Sequence, residues 1–298
     1  MAQQSAPTKY ISDIPMKQQS SYTAPEIARL NQALAQTVFY ESSTVAWKYY
    51  RLCAVSCDTP VVIIPLTGHK RFNVDSKYWE CKPGQFLMSH AALQANSENF
   101  PDSDAPYRAL VIPIPWEVVN IARNLVSGTY LTPLEQHQDV VSVGDLSCIN
   151  SAILSYISDE NVLDAAVRNY RLLGILLELF RAGHGQFLRS LDPSYSSRVR
   201  MAVSASPARE WSSAYFEDLF HLSGATLRRR LVSEGTSLRE LIQDARLHSA
   251  LMHLQTSTKP IKVVAAEHGY FSVPAFCLSF SKRFGVDPAE VANFKLSD

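Results

Sequence analysis

The sequence is short of cysteine, and what it has does not pair. Five cysteines, Cys53, Cys57, Cys81, Cys148 and Cys277, are spread over 298 residues. An odd count without framework spacing points to reduced thiols in cytosol. The run "CAVSC" sets Cys53 and Cys57 four apart, on one face if the segment is a strand. No histidine or further cysteine follows at finger-like spacing, so a zinc site is not expected. An excess of one charge sign is also missing. The 28 basic residues face 28 acidic ones, which excludes a histone-like protein that coats polyanions. Long apolar runs are absent too. The start, "MAQQSAPTKYISDIPMKQQS", has no secretory core, and no later segment reaches the length of an uninterrupted membrane span. A soluble, cytoplasmic protein with no membrane partner is expected.

What is present belongs to a globular protein of about two domains, 46% hydrophobic and 19% charged. Up to Tyr195 the chain holds 15 basic and 18 acidic residues, and beyond it 13 and 10. The balance allows a modest nucleic-acid-binding domain attached to an acidic one. Residues 1–23 read as a flexible segment. "APEIARLNQALAQTVF" then spaces Ile27, Leu30, Leu34 and Val38 as a helix. From Trp47 to about residue 115 come six or more short runs rich in Val, Ile, Tyr and Phe, separated by Gly, Pro, Asp and Asn. They imply a small barrel or a sandwich rather than alternating βαβ units. "KPGQ", Lys82–Gln85, is a tight turn within it.

From Trp116 the pattern turns helical. "WEVVNIARNLV" is one helix, and a polar link follows around "GTYLTPLEQHQD". "DLSCINSAILSYIS" puts Leu146, Ile149, Ile153 and Ile157 on one stripe. The next helix carries Leu172, Leu173, Leu176, Leu177, Leu179 and Phe180 over too much of its girth for one packing face. It is either a central core helix or a homodimer interface made by Leu172, Leu173, Leu176, Leu177 and Phe180. A Ser- and Pro-rich link near 192–213 marks the domain boundary.

Two helix pairs follow. In "AYFEDLFHLSGATLRRRL" the residues Phe216, Leu219 and Phe220 form an apolar stripe, and the chain turns at His221–Leu222. Ser223 caps the second helix, which points Leu227 and Leu231 inward. Gly224, Ala225 and Thr226 are small enough to let its first turn enter a major groove. Arg228 is placed to reach a guanine edge, and Arg229 and Arg230 to take phosphates. A linking helix opens with Ser237 and Glu240 as a capping box. The arrangement then recurs. "KPIKVVAAEHG" ends at Gly269, Ser272 caps the next helix, and Phe276 and Phe280 pack inward. Its outer surface is bare of long donors: Val273, Pro274, Cys277 and Leu278 offer at most apolar contacts to thymine methyls, while Ser272, Ser279, Ser281 and Lys282 are backbone contacts.

Residues 196–294 resemble the DNA-binding domain of the AraC/XylS family of bacterial transcription regulators, through "LSGATLRRRL", "EGTSLRELIQDARLHSALMHL" and "VVAAEHGYFSVPAFCLSFSKRFGVDPAEV" in order and spacing. "KPGQFLMS", "APYRALVIPIP" and "LLGILLELFRAGHGQFLRSL" resemble, less specifically, that family's cupin-like amino-terminal module. The resemblance implies an α+β protein: a cupin-like β-barrel with flanking helices at 24–190, its helical region at 116–190, and an all-α domain with two helix-turn-helix units at 196–298. It also implies promoter DNA as partner, effector binding or dimerisation by the first domain, and a habit of activation that involves RNA polymerase. Three positions depart from the family pattern: Glu217 where a small residue is usual, Leu278 in place of an arginine and Ser281 in place of a lysine. His69 and His90 stand alone without an HxH pair, and no Ser/His/Asp or Cys/His arrangement assembles, so no catalytic residue, metal or cofactor is expected. The inward residues Tyr50, Ile64, Phe72, Trp79, Phe86 and Tyr107 are candidates to line a cavity for a small-molecule effector. The competing reading is a non-enzymatic protein–protein interaction regulator with weakened DNA reading, to which Leu278 and Ser281 give standing.

Overall fold

The computed structural model describes residues 43–126, 140–158, 164–189 and 193–293. The flexible segment, the helix expected around Ile27–Val38 and the polar link after residue 127 lie outside them. Eight strands run from residue 43 to residue 113: β1 Ser43–Ala46, β2 Tyr50–Cys57, β3 Val61–Thr67, β4 His69–Val74, β5 Lys77–Cys81, β6 Gln85–Ser89, β7 Leu93–Phe100 and β8 Tyr107–Pro113. Helix α1, Trp116–Val126, follows, then β9, Val141–Asp145. All pairings are antiparallel, and the strands form two sheets, ordered β1-β8-β3-β6-β9 and β2-β7-β4-β5. No ladder joins the two sheets among the described residues, so the architecture is a pair of sheets rather than a closed barrel. The tight turn at Lys82–Gln85 is closed by Gln85 N–H donating to the Lys82 carbonyl at 3.0 Å, with Gly84 at φ 88°.

Strand β3 explains how the rest is arranged. Its residues alternate between two cores, as a period of two requires. Val62, Ile64 and Leu66 join Phe86, Met88, Leu110 and Ile112 against α1, α2 (Asn150–Ser158) and α3 (Ala165–Arg181). Ile149, Ile153 and Ile157 are fully buried there, after a 3-10 turn at Leu146–Cys148. Val61 and Ile63 face the other way, toward Leu52 and Phe72 of the second sheet.

That second core is completed from the far end of the chain. Helices α4 (Tyr195–Ala205), α5 (Ser213–Phe220) and α6 (Gly224–Ser233) come first. The 19-residue α7 (Leu238–Thr256) leads to α8 (Ile261–Glu267), α9 (Val273–Phe284) and α10 (Pro288–Val291). Leu247, Leu251 and Leu254 of α7, with Val264, Phe276, Phe280 and Phe284, share one cluster with Leu52, Ile63 and Phe72. The first helix pair has a smaller core of its own, where Val199, Val203, Phe216, Phe220, Leu227 and Leu231 meet the Leu241–Ala245 end of α7. Leu219, expected on the inner stripe with Phe216 and Phe220, is exposed instead. It lies three residues from Phe216, but α5 is too short to bury both flanks of that stripe.

Polar contacts fix the docking. Ala54 sits at φ 48°, a left-handed kink within a register shift of β2 between Leu52 and Val55. The kink turns two carbonyls toward the helices. Arg283 donates from Nη2 to Ala54 O at 2.8 Å, from Nη1 to Cys53 O at 3.2 Å and from Nε to Asp244 at 2.5 Å. Ser56 N–H donates to His248 Nε2 at 2.9 Å, which makes Nδ1 the protonated nitrogen, 3.0 Å from Asp244 O. Burial works to raise the Asp244 carboxyl, but hydrogen bonds from His248 and Arg283, and the Arg283 charge, outweigh it and hold the group well below its ordinary value. Arg200 of α4 meets Asp58 at 2.6 Å, both largely buried.

Because sheet and helices share the second core, Phe280→Ala should cost about 3–5 kcal/mol and melt both together. Urea unfolding followed by a β-sensitive and an α-sensitive signal should give one coincident transition; two separated transitions would show that the shared core does not couple them.

Candidate nucleic-acid interface and effector cavity

Each helix of the first pair begins on a serine. Ser212 Oγ accepts from Tyr215 N–H, and Ser223 Oγ from Thr226 N–H at 3.3 Å. Between them His221, at φ 53°, reverses the chain. Leu227 and Leu231 turn inward, which sends Ala225, Arg228, Arg229 and Arg230 to the surface and leaves Gly224 and Thr226 half-buried. Neither Arg228 nor Arg229 has a hydrogen bond or ion pair with another described residue. Arg230 differs: its guanidinium lies 5.7 Å from the Tyr195 ring centroid, a cation–π contact with the molecule's own α4. Glu234 ties the end of α6 to the start of α4, accepting from Tyr195 N, Ser196 N and Ser196 Oγ. Burial works against that carboxylate, yet these donors lower its pKa. Glu217 is accommodated by half-exposure, a 2.7 Å hydrogen bond from Ser213 Oγ, and the bare Cα of Gly224. A Cβ at Gly224 would stand 2.6 Å from Glu217 Oε1, so the two residues fit as a pair.

The second pair is built the same way but faces outward with different chemistry. Ser272 caps α9, and Phe276, Phe280 and Phe284 are fully buried. Phe271, Val273, Pro274, Ala275 and Leu278 are exposed, Leu278 at 73%, and Lys282 follows along the same face. Cys277 packs against the second core, while Ser279 and Ser281 are half-buried, so these three are less available than their positions in the sequence suggest. Arg283 is turned away from this face, toward β2. Nothing in the local sequence signals that, since its partners lie some 230 residues earlier.

A cavity of about 270 Å³ opens between the two sheets and α7, with Val61, Ile63 and Val111 of the first sheet also in its lining. Of the six residues expected to line it, only Phe72 does. Tyr50, Ile64, Phe86 and Tyr107 fill the interior and are buried, and Trp79 packs half-buried against the second core. Bulky inward side chains close space rather than enclose it. The walls come instead from Leu52, Val55 and Cys57 of β2 and from Leu251, Met252 and Gln255 of α7. Lys70 reaches in from β4, donating to Ser97 Oγ at 2.7 Å and Asn99 Oδ1 at 2.9 Å. No carboxylate pairs with it among the described residues, and burial pushes its pKa down to about 8. Burial likewise pushes the Cys57 and Cys81 thiols up to about 12. Tyr50 Oη, beneath the lining, accepts from Asn99 and from Gln255 of α7.

Helix α3 keeps little surface for a partner. Leu172 and Leu176 are buried in the first core, and Leu173, Leu177 and Phe180 pack half-buried against it. Leu172 and Leu176 are therefore core residues of their own chain, as the central-core reading of this helix expects. Tyr170 is exposed beside them.

The AraC-type transcriptional regulator N-terminus model matches residues 46–175, and the helix-turn-helix domain model matches residues 218–293. The HTH-type transcriptional activator CsvR of Escherichia coli is 29% identical over 100 residues, 34% of this chain and 38% of that protein. The HTH-type transcriptional regulator GadX of Escherichia coli O6:H1 is 32% identical over 103 residues, 35% of this chain and 38% of that protein. The match thus spans less than two fifths of these relatives' own length. Two crystal structures of ToxT from Vibrio cholerae share the fold at 17% identity. One, with unsaturated fatty acid bound, gives a TM-score of 0.54 over 86% of this chain and 96% of that one. The other, bound to (E)-4-(8-methylnaphthalen-1-yl)but-3-enoic acid, gives 0.55 over 84% and 96%.

The unpaired Lys70 has a measurable consequence. Its folded pKa lies below its ordinary 10.5, so between about 8 and 10.5 the unfolded chain holds a proton that the folded one has released. Stability then rises with pH. Relative to Lys70→Met, the wild type should gain about 3 kcal/mol across that window, read by urea unfolding at several pH values. A constant difference between the two proteins would mean the amine is solvated.

Proposed function

Because the chain belongs to the AraC family of transcription regulators, we propose that it binds double-stranded promoter DNA through α6 and α9 and activates transcription there. The observation that carries this reading is α6. It is a capped helix on its own small core, small-sided in its first turn, with Arg228 and Arg229 exposed and unengaged by the other described residues. Gly224, Ala225 and Thr226 let that turn approach base edges, Arg228 supplies a bidentate donor for guanine, and Arg229 reaches phosphate. Ser223 and Ser272 sit at the helix starts, and Lys282 supplies a phosphate contact at the far end of α9.

The cavity gives the regulatory part. The ToxT structures carry an unsaturated fatty acid and a naphthalenyl butenoic acid. In this chain, we assign the cavity to a small apolar carboxylic acid whose carboxylate pairs with Lys70, while Leu52, Val55, Leu251 and Met252 surround its body. A buried ammonium without a carboxylate partner among the described residues favours such an occupant, because the ligand supplies the missing charge. The roof is α7, the helix that joins both pairs. A ligand that fits one seating of α7 better than another shifts the balance between them. The remaining surface of α3, with Leu173, Leu177, Phe180 and Tyr170, is assigned to a homodimer contact, and two joined copies would gain on paired sites through effective concentration. RNA polymerase is the expected partner at the promoter. No helix among the described residues is long and apolar enough to cross a membrane, and cytoplasmic residence goes with this reading.

Anisotropy titration against duplex DNA at two salt concentrations tests the DNA reading. Affinity should fall steeply with salt, and Arg228→Ala should lower specific binding about 10- to 100-fold, with a smaller loss on random duplex. Equal loss on both would move Arg228 to phosphate, and no binding would leave the protein-interaction reading in its place. For the effector, a saturating unsaturated fatty acid at about 100 times Kd should add about 2.7 kcal/mol to stability. Lys70→Met should abolish that gain, and a gain that survives the substitution would place the acid elsewhere.

A further inference from the structure

The outer face of α9 is an apolar stripe that ends in a cation. Phe271 precedes the capping Ser272, Val273 and Pro274 occupy the first two helical positions, Ala275 follows, and Leu278 stands one turn beyond Pro274. All five apolar residues are exposed, Phe271 completely. Lys282 lies one further turn along the same face, also exposed. From Tyr270 to Val286 the chain has no acidic residue. An exposed helix face of this kind normally carries polar side chains, and here the only long polar group on the stripe is the lysine at its end.

We propose that α9 reads the methyl groups of thymines in the major groove, through Val273, Pro274 and Leu278, with Phe271 against the neighbouring base edge and Lys282 on a phosphate. The inference rests on the DNA reading of the chain and adds the base preference of its second helix. Three observations favour this occupant. Helix starts are the parts that enter the groove in helix-turn-helix proteins, and the apolar residues sit at the start, with the cation toward the end where the backbone passes. The stripe offers no donor or acceptor suited to guanine, cytosine or adenine edges, and the thymine methyl is the one apolar group that the groove displays. The stretch is also free of acidic side chains that would repel phosphates. Recognition is therefore divided: α6 selects guanine with arginine, and α9 selects thymine with carbon. The losses of the usual arginine at Leu278 and the usual lysine at Ser281 become a change of code rather than a weakening.

The experiment starts from a randomised duplex pool selected by the full chain. Sites recovered should hold guanine in one half and thymines about ten base pairs away. Remaking the thymine half with deoxyuridine removes only methyl groups, and affinity should fall about fourfold per contacted methyl. The same exchange in the guanine half should change nothing. Leu278→Ala should bind the uridine and thymidine forms with a smaller difference, and Leu278→Arg should move the preferred base toward guanine. Both changes are at an exposed position, so loss of fold does not confuse the result. If the pool yields no preferred duplex, the DNA reading itself falls. If duplexes are selected but uridine binds as well as thymidine, this inference alone is overturned. It is also overturned if Phe271→Ala and Leu278→Ala leave DNA affinity intact and instead dissociate a dimer in sedimentation, since the stripe would then belong to a second copy.

Discussion

The second helix pair has no hydrophobic core apart from the sheets. Phe276, Phe280 and Phe284 lie on one side of α9 and could not be covered by α8 and α10 alone, which are seven and four residues long. They are covered because α7 carries Leu247, Leu251 and Leu254 down onto β3 and β2. Burying aromatic and leucine side chains is the largest favourable term available to helices this short. The two-sidedness of β3 makes it feasible, since one strand serves the α1–α3 core and the core shared with α7 and α9.

That constraint separates the two pairs physically. The first is self-sufficient and is held to the sheet unit mainly through α7 and the Arg200–Asp58 pair. Arg228 and Arg229 can face outward because no other described residue claims them. The second pair is committed inward: Arg283 and Cys277 serve the docking, and the surface left over is apolar. A cavity placed under α7 therefore lies where the two pairs are joined, and Lys70, on β4, is buried in its lining.

Local signals in the sequence were dependable where the cause was local. Ser223, Ser237 and Ser272 cap the helices expected of them, and Glu240 completes its capping box. The stripe Leu146, Ile149, Ile153 and Ile157 is buried along its whole length. Short edge elements escaped: β1 and β9 have four and five residues, too few for alternation to register. Strand periodicity shows which face is buried but not which strands pair, so two sheets and a closed barrel look alike in the sequence. The cavity was missed for a related reason. Large inward residues such as Phe86 and Tyr107 were expected to line it, whereas its walls join β2 and β4 to α7, partners brought together only by the fold. Arg283 shows the same limit, reading as part of a basic cluster until its distant carbonyl partners are in view.

The kink at Ala54 has a further effect. Strand β2 is the outer strand of its sheet, and an open outer strand is a template on which other chains polymerise. Here the carbonyls of Cys53 and Ala54 are occupied by a guanidinium, and the amide of Ser56 by an imidazole. The helices docked there, α7 and α9, thus double as a shield against cross-β growth. Any rearrangement that lifts α9 and the end of α7 from the sheet uncovers a sticky seam, which sets a limit on how far and how long the two halves of this regulator can part.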